Sequence, residues 1–218
     1  MWTINDIIQS YLKPRIFKQK FSDNIKHLVK TNRTDWDYRA IESARRILTA
    51  VCFLETVRAI HESKDSLIYQ PIGLYYSMFH MSLAMLWLNP RVYKSKLSHI
   101  HHKKLINLVR TDLIQAKFVD SSFYNLLVNL KDLRESCNYR FGYQDNLEFE
   151  LTQALDDTDK AFDNALKFIH QVLNESNSLF RLQVTIGDGF GDDILGSYLS
   201  NEHKENVVNY LVRNGLSS

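Results

Sequence analysis

Apolar residues recur at three- and four-residue steps through most of this chain, a pattern that predicts helices nearly throughout. From Tyr38 to about Ser63 the stripe is Ile41, Ala44, Ile47, Leu48, Val51, Leu54, Val57 and Ile60. It predicts one long amphipathic helix after the polar connector TNRTDWDY, with Asp35 or Asp37 able to cap it. The next helix runs from Ser66 or Pro71 to Leu88 and is apolar nearly all round. That marks it as the central helix of a bundle, ended by Pro90. A shorter helix over Ser98–Val109 carries histidines. Ser121 or Ser122 can cap a helix that reaches about Cys137, with Phe123, Leu126, Leu127, Leu130 and Leu133 on its apolar face. After a turn at Gly142, Asp145 and Glu148 have the form of a capping box. The helix they open carries Leu147, Leu151, Leu155, Phe162, Leu166, Ile169 and Leu173, and is expected to be the longest, reaching Asn177.

The two ends are less regular. Residues 3–12 read as a short amphipathic helix stopped near Pro14, and Lys18–Lys30 as a second, basic one. Arg181–Ile186 alternates weakly and is the best strand candidate. The stretch GDGFGDDILG reads as a loop, and Ser200 with Glu202 opens a last helix ended by Gly215. Only Pro14, Pro71 and Pro90 interrupt the chain, and four of the seven glycines crowd into Gly187–Gly196. The fold class that follows is all-α: a basic N-terminal segment over 1–34, a helical bundle over 35–178 and a small C-terminal helical appendage over 179–218.

Composition refines this picture. An apolar content of 44% in 218 residues supports a packed core and excludes disorder. Net charge is +2, so nothing global demands a nucleic acid, but the charges are unevenly placed. Six basic residues stand against Asp23 over Lys13–Lys30, and seven acids against Lys160 over Asp145–Asp163. The two blocks either neutralise each other or make a basic binding face opposite an acidic one. Cys52 and Cys137 both fall in predicted helices with no disulfide framework, which points to a reducing, cytoplasmic setting. The N-terminus has an early acid and no basic run before an apolar core, unlike a signal peptide. Ile72–Leu88 is uncharged, but Tyr75, Tyr76, Ser77, His80 and Ser82 make it a buried core helix rather than a membrane span.

Candidate chemistry concentrates after the central helix. Ser66–Arg110 contains no acid, and its second half carries six basic residues with His99, His101 and His102. On a helix, His99 and His102 share a face, yet no Cys or carboxylate in that segment completes a metal site. His80, between Phe79 and Met81, reads as a satisfied core histidine. Asp188, Asp192 and Asp193 could hold a cation, but their spacing is not that of an EF-hand. No phosphate-binding loop, HExxH pair, nucleophile elbow or dinucleotide glycine pattern occurs, so no metal and no cofactor is expected.

YYSMFHMSLAML (Tyr75–Leu86) taken with RESCNYRFGY (Arg134–Tyr143) resembles the HEPN superfamily of helical bundles, over roughly Tyr38–Leu173. There a central helix with tyrosines and small residues precedes a histidine-bearing segment, and a later helix ends in an arginine motif. In the ribonuclease members a histidine follows that arginine, and dimerisation brings two motifs together over RNA. This chain places Asn138 and Tyr139 there instead, the arginine-to-tyrosine version of members not known to cut RNA. A phenol with a pKa near ~10 is a poor base at neutral pH. The resemblance implies a non-catalytic or degenerate protein that binds RNA or builds a complex, as a homodimer or hetero-complex, in a prokaryotic defence or toxin–antitoxin setting. In an RNA-binding role Arg91, Lys94, Lys96, Lys103, Lys104, Arg134 and Tyr139 are the candidate contacts. The alternatives are a metal-independent endoribonuclease using Arg134 with His99 or His102, and an interaction module working through the acidic helix.

Overall fold

The computed structural model describes residues 19–61, 67–139, 147–191 and 199–216, and all regular structure among them is helical. The first helix, α1, covers 19–31. It is followed after a single residue by α2 (Arg33–Ile60) and then by α3 (Gln70–Trp87). A 3-10 turn at Lys94–Lys96 leads to α4 (His102–Leu108), which widens into a π turn over Val109–Ile114. The remaining helices are α5 (Ser121–Tyr139), α6 (Leu147–Glu175), α7 (Leu179–Gly191) and α8 (Asn201–Arg213). The all-α reading therefore holds. The expected helix over 3–12, the turn at Gly142, the Asp145–Glu148 capping box and the residues after Gly191 up to 198 lie outside the described residues. Among those described, no helix is long and apolar enough to cross a membrane.

α3 is the centre of the bundle, packing on α2, α5 and α6 as well as α4. Between Leu74 and Leu88 every residue is buried except Tyr76 and His80, which are half-buried. An uncharged helix has no face that prefers water, so its neighbours cover all of it. Pro71 sits in its first turn, where the missing N–H costs nothing. Gly73 lets α2 approach closely: a Cβ there would lie 2.4 Å from Val57 Cγ2. At the other end Arg39, 5% exposed, donates to the carbonyls of Trp87, Asn89 and Val92. It satisfies oxygens that the helix end leaves unpaired. The same core takes in Phe21 and Ile25 from α1, Leu182 and Ile186 from α7, and Val207 and Leu211 from α8.

Several local expectations are corrected. The connector TNRTDWDY is mostly helix: α2 starts at Arg33, capped by Asn32, whose side chain accepts the Asp35 N–H at 3.1 Å. Asp35 and Asp37 make ion pairs instead of caps, and buried Trp36 donates to Ser178 Oγ at 2.9 Å. The histidine helix does not begin at Ser98. The chain turns at 97–99 and is extended at His101 (φ −87, ψ 153), just before α4, so His99 and His102 share no helix face. Ser121 and Ser122 are the first two residues of α5. The proposed strand at Arg181–Ile186 is the middle of α7, and part of the proposed loop, Gly187–Gly191, continues it. Leu182 and Ile186, four apart, are buried while Val184 between them is exposed, which is helical and not strand periodicity. At 29 residues α6 is the longest described helix and stops at Glu175, two residues before the expected end. Asn177 then adopts φ 51, and Ser178 N–H reaches back to the Leu173 carbonyl at 2.9 Å. Gly215, at φ 65, ends α8 in the same way, as its sequence position predicts.

One charged cluster joins α2, α6 and α8. Arg58 pairs with both Glu55 and Asp159 and lies 5.4 Å from the Tyr210 ring centre, with Arg213 on the same ring at 5.5 Å. Burial is the larger influence on both carboxyls and holds them above their ordinary range despite the guanidinium.

Candidate functional site

The residues singled out by sequence divide into a cluster and a surface. The cluster forms where α3, α4 and α5 meet. Tyr75, fully buried on α3, shares a hydrogen bond of 2.6 Å with Nδ1 of His102, the first residue of α4. Arg134, from the last turns of α5, lies with its guanidinium carbon 4.7 Å from the Tyr75 ring centre and 5.9 Å from that of Tyr76. Phe79 closes the imidazole's other side at 5.1 Å. A long side chain and two tyrosine faces thus hold a positive charge in a nearly dry place.

Arg134 is 9% exposed, and its Nε has no hydrogen-bond partner among the described residues. Among the described residues its nearest acid is Glu135, at 3.5 Å from Nη2, the outer limit of a hydrogen bond. Glu135 is engaged more closely by Lys131, at 2.9 Å, and that bond is the main reason its carboxyl stays below the ordinary value. The guanidinium therefore keeps unused donors, the condition in which an oxyanion is bound most strongly.

His102 is held below its ordinary pKa, first by burial and then by the positive field of Arg134, against a smaller opposing pull from Glu135. At neutral pH it is therefore mostly uncharged. Burial also pushes the Tyr75 hydroxyl up, so that it stays protonated. Two neutral groups can share their hydrogen bond in two ways. If the hydroxyl donates, Nε2 of His102 carries the proton. If Nδ1–H donates, Nε2 is bare and is a base.

The other candidates stand apart from this cluster. His99 is exposed in the turn before α4 and is not among the side chains in contact with Tyr75. Lys103 and Lys104 are exposed on α4, beside His102. Lys96 lies over the exposed ring of Tyr93 at 5.6 Å. Lys94 is partly committed, since it pairs with Asp35 and sits 5.2 Å from the Tyr38 ring. Arg91 is half-buried and its backbone N–H donates to Asn89 Oδ1. The side chain of Tyr139 lies outside the described residues. His80 is not the satisfied core histidine expected. It stacks on Phe53 at 5.9 Å, its Nδ1 has no partner among the described residues, and burial with the nearby Arg46 pushes its pKa down to about 4.

Sequence reasoning found Arg134 and His102 but missed what joins them. Tyr75 is that residue, and its signal was the tyrosine pair in an otherwise aliphatic helix. Among the described residues no group of three metal-ligating side chains assembles. Compared with protein-family models, curated proteins and solved structures, the chain matches none of them.

Proposed function

We propose that this chain is a HEPN-like protein that binds RNA through its phosphates, as a component of a defence or toxin–antitoxin assembly, with Arg134 as the central contact. The observation that carries the reading is the state of Arg134: a nine-tenths buried cation, laid on two tyrosine rings and met, among the described residues, by a carboxylate only at 3.5 Å. A buried charge left so weakly compensated is costly unless an anion completes it. Lys103 and Lys104, exposed on the helix that begins at His102, extend the positive field outward. RNA is the anion that the resemblance supplies.

A second reading, metal-independent cleavage, is favoured by one observation. His102 is uncharged near neutral pH, anchored through Nδ1 and influenced by Arg134. With Nε2 bare, it would take the proton of a ribose 2′-hydroxyl as that oxygen attacks phosphorus. The 5′-oxygen would leave with a proton from solvent and the product would end in a 2′,3′-cyclic phosphate. Arg134 would carry the charge that builds on the phosphoryl oxygens.

The test is purified protein with mixed single-stranded and structured RNAs in chelator, read for binding over a range of salt and for cyclic-phosphate ends. Binding that weakens about tenfold or more in Arg134→Ala, with intact RNA, supports the first reading. In Lys103→Ala/Lys104→Ala the salt slope should fall by up to about two units, roughly one for each phosphate contact. Cleavage lost in both Arg134→Ala and His102→Ala establishes the second. RNA affinity unchanged in all three variants, without cleavage, removes both.

A further inference from the structure

The geometry points to a second binding surface, away from Arg134: we propose that a groove between α5 and α6 docks a cationic amphipathic helix of a protein partner. The groove has a volume of about 300 Å³. From α5 it is lined by Leu126, Asn129, Leu130 and Leu133, and from α6 by Glu150, Gln153, Ala154 and Asp157. Both sets follow the same spacing, i, i+3, i+4 and i+7, so each helix presents a two-turn stripe, roughly 10 Å long at 1.5 Å per residue. Two such stripes facing one groove form the seat that a third helix fills when apolar ridges pack between them.

Chemistry selects the occupant. The floor is apolar: Leu130 is buried, and Leu126, Leu133 and Ala154 are half-buried rather than covered. The α6 edge is acidic, with Glu150 exposed at one end and Asp157 at the other. Asp157 is braced by Gln153 at 3.0 Å, and Lys160, which pairs with it at 3.1 Å, is 71% exposed, a pair that a competing charge displaces readily. Asp156 and Asp163 add negative charge along the same helix, while Asp159 is committed to Arg58. Leucine-sized side chains at helical spacing, flanked by Lys or Arg, satisfy both floor and rim. An acidic helix is repelled, and an RNA strand finds acid where it needs base. This surface is independent of the RNA reading, since Tyr75, His102 and Arg134 are not among its lining residues.

The experiment uses the full chain and a labelled probe peptide of roughly 18 residues, long enough to hold a helix when bound. The peptide carries leucines at i, i+3, i+4 and i+7 and lysines elsewhere. One control has the same composition without the stripe, and another has glutamate for lysine. Fluorescence anisotropy should show saturable binding of the striped cationic peptide, at least about tenfold tighter than either control. Glu150→Lys, at an exposed position, should weaken it several-fold and lower its salt dependence. Ala154→Trp, which fills the groove, should abolish it, with circular dichroism confirming the fold. Equal binding of the unstriped peptide, or native affinity in both variants, overturns the proposal. So does a change in the protein's own mass by light scattering in Glu150→Lys, which would identify the occupant as a second copy.

Discussion

Arg58 and Arg134 both rest on tyrosine rings, but their neighbours neutralise them to very different degrees. Arg58 lies 5.4 Å from the Tyr210 ring, between the carboxylates of Glu55 and Asp159. Arg134 lies 4.7 Å from the Tyr75 ring, with one carboxylate at 3.5 Å and its Nε unpartnered among the described residues. The first joins three helices and has no donor capacity to spare for a ligand on its paired sides. The second is more deeply buried, yet is the less neutralised. A cation–π contact alone does not mark a functional residue. What distinguishes Arg134 is the desolvated charge left over after its neighbours are counted.

The largest expected effect follows directly. Arg58→Ala leaves Glu55, 9% exposed at its side chain, facing Asp159 with no cation between them. The expected cost is about 2–3 kcal/mol, below that of a fully buried pair because Asp159 reaches solvent. Arg134→Met keeps the stem and removes the uncompensated charge, so its cost should stay within about 1 kcal/mol. Urea unfolding of both variants decides the matter. Equal losses would erase the distinction and make Arg134 a structural cation like Arg58.

The acid limb of stability sharpens the same comparison, because His80 sits on the Tyr76 ring that Arg134 also faces. Its pKa in the fold, about 4, lies below the ordinary 6.5. A histidine that stays neutral in the fold takes up its proton more readily once unfolded. Stability is therefore fully present above pH ~6.5, is lost as pH falls from there to about 4, and levels off below. The gap between the two values corresponds to roughly 3 kcal/mol. His80→Gln should flatten the unfolding free energy across that window. A limb unchanged in His80→Gln would assign it to other groups.

How much of this was legible in the sequence depended on how local the cause was. The stripe from Ala44 to Val57 predicted α2 because burial on one face repeats every turn, and those positions are buried. Arg181–Ile186 misled because six residues fit alternation and helical spacing alike, and β-branched Val184, Thr185 and Ile186 favour strands locally. Packing on α2 overrode that preference, and Thr185 Oγ1 donates back to the Arg181 carbonyl as it does in helices. The start of α4 misled in the opposite sense. Ser98 has the chemistry of a cap, but the chain is in a turn there and the helix begins only after His101. At the site, Arg134 and His102 were identifiable by type and not by proximity, because the partner that unites them lies on a third helix. The groove between α5 and α6 was half legible. The leucine stripe of α5 was visible, but only the tertiary arrangement shows that α6 leaves it partly uncovered.

Ligand binding gives a smaller energy but a cleaner separation of the two arginines. RNA affinity should fall about tenfold or more in Arg134→Met, equivalent to roughly 1.4 kcal/mol. It should stay within about twofold in Arg58→Lys, which keeps a cation at the structural cluster. A filter-binding or anisotropy titration at fixed salt reads both. Loss in both variants would trace the effect to folding, and loss in neither would free Arg134 from any role with RNA.

The smallest effect reports most directly on the geometry. His102 lies below its ordinary pKa, with burial the first cause and Arg134 the second. Arg134→Met should therefore raise the His102 value, seen by following its ring protons through a pH titration in nuclear magnetic resonance. Burial persists in the variant, so the value should still fall short of the ordinary 6.5. Glu135→Gln should move it the other way, because that carboxylate opposes Arg134 at the imidazole. Tyr75→Phe should remove the 2.6 Å partner and change which ring nitrogen carries the proton, visible in the nitrogen shifts. Opposite movements in the first two variants require both charges to act on the imidazole from the same end of α5. A His102 value indifferent to Arg134→Met would separate the two residues, and the phosphate site would then rest on the arginine alone.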